Sequence, residues 1–482
     1  MYGMGNIVPR ILNYAILTFY YTRRFSIEEY GALAELYAYV AIVMVILTYG
    51  METGLFKFSS EFKERGKVFV TAVVSVLSTS LFFLVVILMN AKGIATWMGY
   101  SSHPEYISYM AAILSTDAVG AIIFAKLRIN NKVRKFATLK ILNVLITIFF
   151  VMFFLEVMPK IRVISESEIY INSLQYIGIG YVLISNLIAS ISMILLLLPE
   201  FPVKWPKYDF VLLRNMLAYS APLLISGLAG MLNENLDRIL LKRIEGNGLN
   251  ALHELGIFAA NYRIAILMTL FIQMFRYAAE PFFFNQLKYE NAKKIYADVL
   301  KYFSIFMVII FLIVTLYLDI FKYFIDPSYF EGLKIVPIVL FANLIMGILF
   351  NVNMWYKLAG KTMYGVVITG IGALITIIFN IIFIPMYSYM ACAWIHVASN
   401  FTMLALTYYF GQKFYKIHYD IRKIMIYIGS GIIIYGVFQL IKTGMMIANL
   451  IIATLLLTLY VYFCNKRENL IHIFAGTNDS KN

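Results

Sequence analysis

Long apolar runs, each near the length a helix needs to cross a bilayer, recur along the whole chain and leave no stretch over which a separate soluble domain would form. A span requires roughly 20 mostly apolar residues. Fourteen such runs are present: Gly3 to Thr22, Tyr30 to Gly50, Val68 to Met89, Ile107 to Ile129, Ala137 to Val157, Gln175 to Pro199, Leu213 to Leu236, Gly256 to Phe275, Val299 to Phe321, Lys334 to Tyr356, Met363 to Pro385, Met390 to Gly411, Ile424 to Ile441 and Met446 to Cys464. Hydrocarbon offers no partner to a backbone N–H or C=O, so each run is expected to be a helix. Only 14% of residues are charged and mean hydropathy is +0.79, whereas soluble chains carry about a quarter charged residues. The expected fold class is an all-α integral membrane protein with about 14 transmembrane helices.

The net charge of +14 does not indicate nucleic acid, because the basic residues form short clusters between apolar runs and not a continuous basic face. Membrane topology accounts for them: with the N-terminus inside, 26 of the 40 Lys and Arg lie in cytoplasmic segments and 11 outside, with Arg10, Lys140 and Arg263 within spans. Both termini are therefore expected in the cytoplasm. The first apolar run contains Arg10 and continues into a second span with no small-residue cleavage site between, which reads as a retained helix. The longest loop, around Arg276 to Asp298, has room for an amphipathic interfacial helix.

Two cysteines, Cys392 and Cys464, both in apolar runs, supply neither a disulfide framework nor a metal site. No phosphate-binding glycine loop, HExxH, paired catalytic carboxylates or cofactor motif sits at a suitable place. The expectation is a protein that is not an enzyme, uses no cofactor and is not driven by ATP.

The chain repeats itself. Glu29, Gly31, Ala34 and Tyr37 recur as Glu254, Gly256, Ala259 and Tyr262, an offset of 225, and LITI at Leu145 to Ile148 recurs at Leu374 to Ile377, an offset of 229. The matches pair span 2 with span 8 and span 5 with span 11. Six spans per half is an even number, so the halves insert in the same orientation, related by an axis along the membrane normal. This organisation gives two pseudo-symmetric six-helix bundles, residues 1–199 and 200–411, followed by an accessory helix pair and tail, residues 412–482.

Ionisable side chains at membrane depth are costly, so each needs a partner, a wet cavity or an interfacial position. Arg10 shares a helical face with Asn6, Asn13 and Leu17, and either holds an anion such as phosphate or snorkels to the inner surface. Asp117 lies mid-span, where snorkelling cannot relieve it; it is either a proton or sodium coupling site or a protonated structural group beside Ser115 and Thr116. Span 7 carries Ser226, Gly230, Asn233 and Asp237 along one stripe, with Glu234 beside it and a kink expected at Pro222; Asp237 and Arg238 are placed to pair at the outer boundary. Arg263 and Glu35 lie at similar depth, so Arg263 either pairs with Glu35 or holds substrate. Asn343, Gly347 and Asn351 fall at i, i+4 and i+8, the pattern of a polar cavity face or of close helix packing. His396 and Asn400 share a face and read as hydrogen-bonded core.

The stretch YTRRFSIEEYGALAELYAYVAIVMVILTYGMETGLFKFSSE, from Tyr21 to Glu61, resembles the amino-terminal signature of bacterial polysaccharide repeat-unit flippases, the O-antigen exporter group. LRINNKVRKFATLKILN after span 4, and LAYSAPLLISGLAGMLNENLDRILLKR with LGIFAANYRIA across spans 7 and 8, resemble the same group. Its superfamily includes multidrug and toxic-compound extrusion proteins and the peptidoglycan lipid-precursor flippase. The resemblance implies a V-shaped cavity and, for lipopolysaccharide-type polymers, flipping of an undecaprenyl-diphosphate-linked oligosaccharide across the bacterial inner membrane, driven by a proton or sodium gradient. It also implies membrane lipids and a repeat-unit polymerase as partners. On that reading Arg10, Asn13, Asn233, Glu234, Arg263 and Asn343 contact substrate and Asp117 couples the ion. A small-cation antiporter and a wall-precursor flippase are the alternatives.

Overall fold

In a computed structural model, residues 8–61, 64–160, 178–201, 206–246 and 248–469 are described. They are almost wholly helical, and no strand occurs among them. Twelve helices are long and apolar enough to cross a membrane, and a bent pair raises the number to 13. Each corresponds to one of the expected runs. The remaining run, Gly3 to Thr22, falls partly outside the described residues; its visible portion, α1, is helical over residues 8–24.

α1 changes pitch at Asn13–Thr18, a π-helical turn. The 3.6-residue face expected to run from Arg10 through Asn13 to Leu17 is therefore broken at Asn13, and Asn6 lies outside the described residues. α2 (Ile27–Thr48) starts on a reciprocal cap: the Ser26 Oγ accepts the Glu29 N–H while Glu29 Oε2 accepts the Ser26 N–H. It ends where Tyr49 and Gly50 turn left-handed, and α3 (Met51–Glu61) continues the same span. α4 (Arg65–Met89), α5 (Ala91–Met98), α6 (Pro104–Ile129), α7 (Val133–Met152) and α8 (Gly180–Leu197) follow. α9 (Phe210–Ile244) begins on the Asp209 side chain, which accepts the Leu212 N–H, and stays one helix through Pro222, so the expected kink does not divide it.

The eighth run is two helices, α10 (Leu249–Ile264) and α11 (Ile266–Gln286), bent by 51°. α11 and α12 (Ala292–Leu316) together absorb most of the segment expected as a loop after Phe275, leaving a short connection in place of a separate interfacial helix. The chain ends with α13 (Val336–Val352), α14 (Met354–Leu358), α15 (Met363–Tyr387), α16 (Tyr389–Phe414), α17 (Ile421–Ile441) and α18 (Met446–Glu468).

Packing gathers the chain into two units. The first comprises Met1–Ala259 and Thr369–Cys392, the second Ala260–Ile368 and Ala393–Asn482. In the first, α6 is central, packed by α4 and α8, while α9 lies along α2 and α3. Its core includes Met51, Val73, Ile122 and Met216, none exposed. In the second, α12 is central, packed by α13, α17 and α18. Gly347 of α13 faces the Phe303 ring, where an added Cβ would come within 3.0 Å, and Asn343 and Asn351 are buried. Of the two readings of that stripe, close helix packing is what the structure shows.

Candidate functional site

Four charged side chains from four helices of the first unit lie near enough for their charges to act on one another. Asp117 comes from α6, Lys140 from α7, Glu52 from the first turn of α3 and Arg10 from α1. Lys140 feels the charges of Asp117, Glu52 and Arg10, and Glu52 those of Arg128 and Lys140. Ser190 of α8 is the polar side chain that acts on Asp117. Ser115 and Thr116, the expected partners, turn elsewhere: Ser115 Oγ donates to the Ser80 carbonyl at 3.0 Å and Thr116 Oγ1 to that of Ala112 at 2.6 Å.

The cluster is not sealed in the core, since Arg10 is exposed and Glu52, Asp117 and Lys140 are half-buried. At 1.5 Å per residue, Lys140, Glu52 and Asp117 lie about 10–18 Å along their helices from the ends expected inside. Lys140 Nζ sits 4.1 Å from the Phe124 ring centroid and makes no hydrogen bond or ion pair among the described residues. Acids and cations set near one another are how charge persists at this depth.

Glu35 is satisfied differently from what was expected. Its Oε2 accepts Lys242 Nζ at 2.6 Å and the Tyr100 hydroxyl at 2.5 Å, and Lys242 also donates to the Met98 carbonyl at 2.7 Å. Both side chains of the Glu35–Lys242 pair are fully buried, so the partner of Glu35 is Lys242 and not Arg263. Arg238 donates to Asn235 Oδ1 at 2.6 Å, and Asp237 is 1% exposed. Asn233 accepts the Thr376 hydroxyl at 2.6 Å, and Glu234 beside it is exposed. In the second unit Arg263 is half-buried, Asn343 is buried, the His396 ring lies 5.9 Å from that of Tyr262, and Asn400 donates to the Ala342 carbonyl.

Of the residues singled out from sequence, the structure thus brings Arg10 and Asp117 into one cluster, with Asn13 in the turn after Arg10, and places Asn233 and Glu234 on α9. Arg263 and Asn343 belong to the second unit. Sequence reasoning passed over Glu52, because span 2 was taken to end at Gly50, and noted Lys140 only as a cation within a span. The Tyr49–Gly50 break was the available signal for Glu52.

A bundle of 12 or 13 helices long and apolar enough to cross a membrane defines a polytopic α-helical membrane protein. The chain belongs to the polysaccharide biosynthesis protein family, whose model matches residues 1–287. Its fold is similar to that of the lipid II flippase MurJ in an inward closed conformation, with a TM-score of 0.72 at 14% identity over 98% of this chain and 99% of that one. It is also similar to a multidrug resistance MATE family transporter of the MOP superfamily. The inward-facing form gives a TM-score of 0.64 at 13% identity over 86% of this chain and 94% of that one. The outward-facing form gives 0.62 at 12% identity over 86% and 93%. No curated protein matches the chain in sequence.

Proposed function

We propose that the protein flips an undecaprenyl-diphosphate-linked oligosaccharide repeat unit from the inner to the outer leaflet of a bacterial cytoplasmic membrane by alternating access. The observation that carries this reading is membership of the polysaccharide biosynthesis protein family, joined by cations and acids, Lys140 and Arg10 with Asp117 and Glu52, whose charges act on one another within the first unit. A diphosphate cannot cross hydrocarbon unaided, whereas cations held at depth by matched acids give it a path while the prenyl tail stays in lipid. Residues 1–199 and 200–411 act as the moving halves, with both termini cytoplasmic. Arg10, Asn13, Asn233, Glu234, Arg263 and Asn343 contact the substrate along its route, and Asp117 couples the step to protons or sodium. A repeat-unit polymerase on the outer side is the natural consumer of the product.

A drug-cation antiporter would instead be served by acids without opposing cations, and a wall-precursor flippase by more arginines than the chain holds at depth. The test is reconstitution in proteoliposomes carrying a labelled prenyl-diphosphate oligosaccharide and, separately, a cationic dye. Label appearing in the opposite leaflet only with the protein supports the proposal; dye efflux without lipid flipping overturns it.

A further inference from the structure

The second unit holds a cavity of about 460 Å³ where α12 and α17 begin, close to the end of α18. That is within the range of roughly 300–1,000 Å³ that ligand sites take. Asp298 and Lys423, both in its lining, immediately precede the apolar runs Val299 to Phe321 and Ile424 to Ile441, and Glu468 lies just past the run Met446 to Cys464. The cavity is therefore at headgroup level, on the side that the lysine and arginine distribution assigns to the cytoplasm.

Its lining carries both signs of charge. Glu468 holds Lys301 at 2.7 Å and Lys423 at 3.2 Å, closer than Asp298 holds the first, at 3.3 Å, or Asp420 the second, at 3.6 Å. Two lysines are thus shared by three carboxylates, and Asp298 and Asp420 keep acceptor capacity at the cavity. Lys293 and Lys294 line the same cavity. Lys293 lies 4.9 Å from the Tyr415 ring centroid, and neither ammonium makes a hydrogen bond or ion pair among the described residues. Glu290, one turn before Lys294, sets a single acid against these two. Apart from His418, four lysines therefore meet four carboxylates, counting Glu468 behind them. Basic pockets on this side of a membrane take anionic headgroups, but a balanced lining offers a bare anion little. A zwitterion can use both signs. Lys294 and Asp298 share a face of α12, about 6 Å apart along its axis, a separation suited to a phosphate and an ammonium joined by two carbons.

We propose that this cavity is a site for the headgroup of a phospholipid with a primary amine, phosphatidylethanolamine, its phosphate on Lys293 and Lys294 and its ammonium on Asp298 and Asp420. A primary ammonium has three donors for carboxylates. A trimethylated one has none, and a glycerol headgroup brings hydroxyls without the charge that offsets the acids. The bound lipid ties α12 to α17, and Glu468 already ties both to α18, so occupancy fastens the accessory helix pair to the central helix of the second unit.

The experiment titrates the purified full chain in detergent with phosphatidylethanolamine, phosphatidylglycerol or phosphatidylcholine of matched acyl chains and reads bound lipid by native mass spectrometry. Wild type should bind the ethanolamine lipid about ten-fold or more tightly than either other, as expected for charge-assisted hydrogen bonds. K293Q with K294Q should weaken all three. D298N with D420N should weaken the ethanolamine lipid and leave the glycerol lipid unchanged or tighter, an opposite response that general misfolding cannot produce. Asparagine at 420 still caps α17, where the Asp420 carboxylate accepts the Lys423 N–H at 3.1 Å. The inference is overturned if the glycerol or choline lipid binds as tightly as the ethanolamine lipid, if D298N with D420N weakens ethanolamine and glycerol lipids alike, or if either double variant binds the ethanolamine lipid as wild type does. Displacement of that lipid by equimolar inorganic phosphate would overturn it as well, by making the cavity a plain phosphate site.

Discussion

Gly31 and Gly256 meet back to back. A Cβ on Gly31 would fall on the carbonyl oxygen of Leu252, and a Cβ on Gly256 on that of Ile27. Ile27 and Leu252, like Gly31 and Gly256, are 225 residues apart, so each helix presents the same position of the repeat to the other. This reciprocity is what an isologous two-fold contact requires, and it is the repeat read in the sequence appearing as geometry. Gly31→Ala and Gly256→Ala should each destabilise the protein by about 1–3 kcal/mol, the range for overpacking, because the obstructing atoms are backbone and cannot rotate away. Melting of the purified variants in detergent checks this, and wild-type melting of both would refute the contact.

The Glu35–Lys242 pair predicts an asymmetry between single and double substitutions. Removing one member leaves a buried charge uncompensated, at about 3–5 kcal/mol, whereas replacing both by apolar residues of similar size is often neutral. Glu35→Gln or Lys242→Met should therefore lower stability sharply, and Glu35→Leu with Lys242→Met should recover most of it. A double variant as unstable as the sum of the singles would show that the pair does not act as a unit.

Asp117 separates coupling from structure. Asparagine preserves hydrogen bonding but does not titrate, so Asp117→Asn should fold normally and lose flipping driven by an imposed proton or sodium gradient in proteoliposomes. Gradient-driven flipping at the wild-type rate would make the residue structural, in which case Asp117→Leu, which can make no hydrogen bond, should alone be unstable.

Outside the spans, Asp209 gives a pH signature. The Lys67 ammonium at 2.8 Å, and then the Leu212 N–H at 2.9 Å, hold its carboxyl below the usual carboxylate range. A lowered folded-state pKa contributes stability above the unfolded value, about 3.9, and that contribution is lost as pH falls through the folded value. The melting difference between wild type and Asp209→Asn should be constant from about pH 6 to about pH 9, where Lys67 stays charged, and shrink toward zero under more acid conditions. A difference unchanged under acid conditions would mean that the ion pair contributes nothing.

The helical membrane fold and the repeat were legible in the sequence because both depend on local quantities. Run length against bilayer thickness specifies a span, and Gly31 with Gly256 could be matched by spacing alone. Partners across helices were not legible. Glu35 lies as deep as Arg263 in a linear reading, yet its neighbour is Lys242, because the choice depends on how α9 lies against α2. Ser115 and Thr116 adjoin Asp117 in the chain but face other carbonyls, because a helix turns successive side chains about 100° apart. Glu52 entered the site only because the left-handed break at Tyr49–Gly50 lets the span continue as α3. Composition and periodicity thus determine which segments enter the membrane; which charges meet there is set by helix rotation and crossing, quantities that arise only when the whole bundle packs.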